Sequence, residues 1–120
     1  MNRVEVYRNL HKNCYSVRAL TGENKGKVID HVQSITLKDA KFVVQPAGRK
    51  RVLREKRKNV HAFVRGHITD EPFKKGTPVK YDPYLTDAFV YKYYNGTIQE
   101  AQRVHLSFTD EGHSKIEVLP

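Results

Sequence analysis

The sequence predicts a mainly β fold: a small single-domain roll, barrel or sandwich with at most one or two short helices. Three observations lead there. Apolar residues recur at every second position in short runs, such as Val4 and Val6 or Val104, Leu106 and Phe108, the period of a half-buried strand. Polar turns bearing glycine or proline separate these runs, from "TGENKG" at 21–26 to "TDEGHS" at 109–114. No long stretch carries the 3.6-residue period of an amphipathic helix. A chain of 120 residues is one domain, 1–120, with room for a real core but not for a second one.

In chain order, Val4 and Val6 alternate with Arg3, Glu5 and Tyr7, and Tyr15, Val17 and Ala19 alternate with Ser16 and Arg18. The two runs predict an opening hairpin across the polar break at 9–13. "KVIDHVQSITLKDAKFVV" is rich in β-branched residues, which favours strands over a helix. Its spacing is mixed, and a turn is expected at Lys38-Asp39-Ala40. Pro46-Ala47-Gly48 closes that region. Arg49 to Lys58 is built of good helix formers and predicts about two helical turns, with Val52 and Leu53 as its narrow apolar contact. "NVHAFVRGHI" reads as a central strand, with Val60, Ala62 and Val64 on one face and His61, Phe63 and Arg65 on the other. Residues 69–78 are loop by composition. A turn at Asp82-Pro83 precedes a strand at Ala88–Tyr94, and Asn95-Gly96 signals a two-residue type I′ turn. Val104, Leu106 and Phe108 point inward from the next strand, and Ile116 and Val118 form the last.

Composition narrows the function classes. Lys plus Arg number 22 against 13 for Asp plus Glu, a net charge of +9, which favours anionic partners without dictating the fold. The one cysteine, Cys14, excludes an intrachain disulfide and suits a reducing compartment. No run resembles a signal peptide or approaches the ~20 apolar residues of a membrane helix, so a soluble cytoplasmic protein without a membrane partner is expected.

The chief candidate surface is "GRKRVLREKRKNVHAFVRG", residues 48–66. Arg49, Lys50, Arg51, Arg54, Lys56, Arg57 and Lys58 surround one acid, Glu55. Guanidinium groups grip phosphates bidentately, and ammonium groups neutralise them. On a helix, Lys50, Arg54 and Arg57 would line one face, with Arg51 and Lys58 widening it. A solvated charged turn is the competing account. A second cluster, Tyr81, Tyr84, Tyr91, Tyr93 and Tyr94 with Lys80 and Lys92 between them, offers rings on which bases could stack, although tyrosine is also an ordinary strand residue. The ligand-binding set expected from sequence is therefore Arg49, Lys50, Arg51, Arg54, Arg57, Lys58 and Arg65, with Tyr91 and Tyr93 in support.

Catalysis and metal binding find little. His11 and Cys14 stand three apart, but a zinc site needs three or four ligands. His61 and His105 fit a half-buried strand position better than a general base, and no recognised catalytic motif occurs. The carboxylates fall mostly in expected turns. No catalytic residue, metal or cofactor is expected.

Through "EVYRNLHKNCYSVRAL" and again through "GRKRVLREKRKNVHAFVRG", the chain resembles small accessory proteins of unassigned role encoded by tailed bacteriophages. The resemblance runs from residue 3 to about 92 and is most specific at Arg57–Gly66 and Tyr81–Phe89. It carries no catalytic residue to any position here. What it implies is setting: a phage accessory protein acting in the bacterial host cytoplasm on nucleic acid, a host enzyme or a defence-signalling nucleotide. The expected function is non-catalytic binding of a phosphate-rich ligand, nucleic acid first. The alternatives are an anti-defence protein that sequesters a signalling nucleotide, in a pocket shared between chains of a homo-oligomer, and an inhibitor docking on an acidic host protein.

Overall fold

A computed structural model describes residues 3–9, 11–92, 96–108 and 113–119. Period-2 patterning and β-branched content become nine strands among these residues: β1 (Arg3–Asn9), β2 (Cys14–Ala19), β3 (Val28–Val32), β4 (Ser34–Val44), β5 (Ala62–Ile68), β6 (Thr77–Lys80), β7 (Val90–Tyr91), β8 (Glu100–Phe108) and β9 (Ser114–Leu119). One helix, α1 (Pro46–Glu55), interrupts them between β4 and β5. The strands form one antiparallel sheet in the order β3-β2-β1-β5-β4-β8-β9-β6-β7. The mainly β, single-sheet architecture agrees with the sequence pattern.

The sheet curls so that alternate residues face a shared interior. Val4 and Val6 of β1, Val17 of β2, Leu37 of β4, Val64 of β5, Val104 and Leu106 of β8 and Val118 of β9 are fully buried there. Tyr15 of β2 closes the roll against the far side of the sheet. Its ring lies 4.7 Å from that of Phe108, and its hydroxyl hydrogen-bonds Ser114 and the Ser107 carbonyl. Burial raises the Tyr15 hydroxyl pKa above its ordinary value. On the other face of β2, β1 and β5, the carboxylate of Glu5 is buried between two cross-strand cations. Arg65 donates to it at 2.8 Å and Arg18 at 3.4 Å. A buried carboxylate requires such partners.

The mixed spacing of 28–44 has a physical source. The chain breaks at Gln33, between β3 and β4, and not at Lys38-Asp39-Ala40. Those three residues lie inside β4 as a β-bulge, with Asp39 at φ 50° and the register shifting between Lys38 and Lys41. One extra residue reverses the alternation, so Leu37 and Ala40, three apart, are both buried. Gly66 of β5 lies beneath the bulge: a Cβ there would stand 2.9 Å from the Lys38 carbonyl oxygen.

Two further expectations need correction. The helix spans Pro46–Glu55, not Arg49–Lys58. Pro46 occupies its first turn, where a missing N–H costs nothing and a fixed φ helps; it opens the helix instead of ending the preceding strand. Lys56 caps the other end in the left-handed conformation, φ 57°, its N–H donating to the Val52 carbonyl. Arg57 and Lys58 thus leave the helix. Of the strand expected at 88–94, the described residues 88–92 carry strand at Val90–Tyr91 alone. Tyr93, Tyr94 and Asn95 of the expected turn lie outside the described residues, as do 109–112 of "TDEGHS". The flanks are in place: the Tyr91 N–H donates to the Gly96 carbonyl, and Val90 bridges Thr97.

Candidate phosphate-binding groove

Three segments far apart in sequence meet at one end of the roll. The first is the end of β1 with its connection to β2, which supplies Arg8, Asn9 and Asn13. Asn9 organises it, its Oδ1 accepting the N–H groups of His11 and Lys12 at 2.9 Å each. The second is the end of α1 and the chain leading to β5, which supplies Val52, Lys56, Arg57, Lys58, Asn59 and His61. The third is the loop after β6, with Tyr81, Pro83 and Tyr84. Together with Val60 and Ala62 they enclose a groove of about 420 Å³.

The helix is set against this site by close packing. Gly48 of α1 lies directly on His61, where a Cβ would approach the His61 Cβ to 2.5 Å. The Gln45 N–H donates to the His61 carbonyl at 2.8 Å. Val52 is buried beneath the helix. Arg49 joins helix to loop, its Nε donating to the carbonyls of Pro83 and Thr86 at 3.1 and 2.9 Å. Asp82 shapes that loop by accepting the Tyr84 N–H on Oδ1 and the Leu85 and Thr86 N–H groups on its carbonyl.

At the groove floor, His61 is 5% exposed and doubly bonded. Its Nδ1 faces the Asn59 carbonyl at 2.7 Å and its Nε2 faces the Tyr81 hydroxyl at 2.6 Å. A carbonyl accepts and does not donate, so Nδ1 carries a proton. In the neutral ring Nε2 then accepts from Tyr81. Burial, the largest influence on Tyr81, raises its hydroxyl pKa above the ordinary value, with Asp82 and Asp87 adding to the rise against Arg49. Tyr81 is therefore a protonated donor at neutral pH. Both groups are occupied by one another, an arrangement that fixes a wall.

Electrostatically the groove is one-sided. Arg8, Lys56, Arg57 and Lys58 line it, and no Asp or Glu does among the described residues. Lys56 Nζ lies 5.8 Å from the Tyr84 ring centroid, and the Arg8 guanidinium lies 5.8 Å from that of Phe108. Tyr84 is 54% exposed and the adjacent Leu85 62%. A second cavity of about 250 Å³ lies on the other side of Tyr81, lined by Val79, Phe89, Leu106 and Ile116 among others; Arg8, Ala62 and Tyr81 border both spaces.

The residues singled out from sequence divide into groups. Arg57 and Lys58 line the groove. Arg49 lies beside it, with Nε committed to two carbonyls. Lys50, Arg51 and Arg54 are exposed on α1 and do not line the groove. Arg65 is paired with Glu5. Tyr91 is half-buried against the core, and Tyr93 lies outside the described residues. Lys56 stood in the basic run and Tyr81 and Tyr84 in the tyrosine cluster, but they, like Arg8 and His61, were not in the expected ligand-binding set. The tyrosine cluster and the adjacent Asp82-Pro83 turn were the local signals for Tyr84. Cys14 is buried and unpaired. Among the described residues, no three His, Cys, Asp or Glu side chains gather as metal ligands, and no helix is long and apolar enough to cross a membrane.

Comparison with known proteins adds a lineage. Residues 1–113 match the family described as Mycobacterium phage L5 gene 82 protein. The gene 82 protein of Mycobacterium phage L5 is 43% identical over 114 residues, covering 88% of this chain and 90% of its own length. No solved structure matches the chain.

Proposed function

The chain belongs to the Mycobacterium phage L5 gene 82 protein family, and from that premise we propose that it is a non-catalytic phage protein that binds nucleic acid in the host cytoplasm through its cationic groove. The observation carrying this reading is the lining: four cations from two segments, with no carboxylate among the described residues to neutralise them. Cations gathered in a concavity raise the local concentration of anions and speed their capture. Arg57 and Lys58 have no acidic partner among the described residues, whereas Arg18, Arg65 and Arg103 do.

A free nucleotide is the second reading, favoured by one observation. The groove volume, about 420 Å³, falls within the ~300–1,000 Å³ usual for small-molecule sites.

Salt titration tests phosphate recognition. With three or four cations contacting phosphates, the log–log slope of affinity against salt should lie between about −2 and −4 over roughly 50–200 mM. A flat response with retained affinity would remove the groove cations from the function.

A further inference from the structure

We infer that the ligand of this groove is single-stranded nucleic acid, with one unpaired base laid on Tyr84 and its flanking phosphates against Arg57, Lys58 and Arg8. This rests on the nucleic-acid reading above and adds the state of the strand. Tyr84 stands at the groove edge, on a loop braced by Asp82 and by Arg49, with more than half of its surface exposed. An exposed ring has no use for a paired base, because both faces of that base are covered by its neighbours in the stack. An unpaired base presents a free face, and stacking on an aromatic side chain is the general means by which proteins hold single strands.

The surroundings complete the site. Lys56 Nζ lies over the Tyr84 ring, 5.8 Å from its centroid; its flexible stem lets a stacking base displace it from that face, which sets its charge beside the phosphate of the stacked nucleotide. Asn13 and Asn59 line the same groove, and their side-chain amides make no hydrogen bond to other described residues, so donor and acceptor both remain for a base edge. Concavity also matters. The phosphates of a duplex lie on a convex cylinder and cannot enter a recess together, whereas a flexible single strand can bend a phosphate into one. A duplex would instead meet the outward cations of α1, Lys50, Arg51 and Arg54, which are exposed and outside the groove.

Fluorescence anisotropy with three short probes of equal length decides the matter: a mixed-sequence DNA strand, its duplex with the complement, and a strand of abasic residues. The parent protein should bind the base-bearing strand best. Tyr84→Ala should weaken that complex roughly 5- to 150-fold, the range for loss of one stacked base, and leave affinity for the abasic strand unchanged. Tyr84→Phe should bind like the parent, separating the ring from the hydroxyl, and circular dichroism checks that both variants are folded. Duplex binding as tight as single-strand binding, with Tyr84→Ala neutral, would overturn the inference while leaving the proposed function standing. Displacement of the strand by equimolar adenosine monophosphate would overturn it in favour of a free nucleotide. Failure to bind any of the probes would remove both the inference and the function it rests on.

Discussion

Arg49 connects helix to loop through a single atom, Nε, which donates to the carbonyls of both Pro83 and Thr86. Hydrogen bonds to charged groups contribute about 1.5–3 kcal/mol, and carbonyls stripped of their donor lose more when water cannot reach them. Arg49→Ala should therefore lower stability by about 1–3 kcal/mol in urea denaturation, the lower end reflecting that Arg49 is only half-buried. Groove binding should weaken with it, since the loop carrying Tyr84 loses its tie to α1. Arg49→Lys should not restore either property, because one ammonium cannot reproduce the planar guanidinium geometry. An unchanged unfolding midpoint for Arg49→Ala would show that the loop holds itself. Nothing in the sequence separates Arg49 from Arg57: they share a residue type, a charged run and an absence of local acids apart from Glu55. What separates them is the neighbour each one meets, carbonyls for Arg49 and open groove for Arg57. That difference depends on a loop more than thirty residues away in sequence, and no local pattern encodes it.

The helix carries a similar dependence at the scale of an element. Glycine inside a helix costs about 1 kcal/mol relative to alanine, so Gly48 is unfavourable by propensity alone. It is retained by contact: a Cβ at this position would lie 2.5 Å from the His61 Cβ. Overpacking costs about 1–3 kcal/mol, which meets or exceeds the propensity gain. Gly48→Ala should accordingly fail to stabilise the protein and should lower its melting temperature, with weakened groove binding as the helix end is displaced. A raised melting temperature would mean that α1 is not seated on His61 as described. The limits of local reading show in the same element. Residues 49–58 have good propensity throughout, yet propensity does not say where a helix begins. Pro46 resembles punctuation from either side, ending a strand or opening a helix, and here it does the second. The opening hairpin was legible because Val4, Val6, Tyr15 and Val17 keep strict alternation, and its register pairs Val6 with Val17. The β4 bulge was not legible, since a reversal of alternation reads equally as a turn until the flanking strands are known.

Over the whole molecule, the fold class followed from short alternating runs and frequent turns, while the site depended on how the sheet curls. Arg8, Arg57 and Tyr84 become neighbours because β1 pairs with β5, α1 packs at the entrance to β5, and the loop after β6 returns over both. Pairings of that range leave no trace in composition; the basic run marked a cationic region but not which of its cations would line a groove. If the proposed function holds, the groove, and not the overall charge of +9, binds the nucleic acid. That claim is tested most directly by comparing two charge reversals in one single-strand binding assay at one fixed salt concentration. Arg57→Glu with Lys58→Glu alters the groove. Arg51→Glu with Arg54→Glu alters the outer side of α1 and shifts net charge by the same amount. Both pairs are exposed, so circular dichroism should show both variants folded. The groove variant should lose about 100-fold or more in affinity, because each lost charged contact contributes about 1.5–3 kcal/mol and each new carboxylate repels phosphate. The outer-face variant should lose less than about tenfold, the effect of diffuse and salt-screened charge. Equal losses from the two, or a groove variant that binds like the parent, would contradict the account.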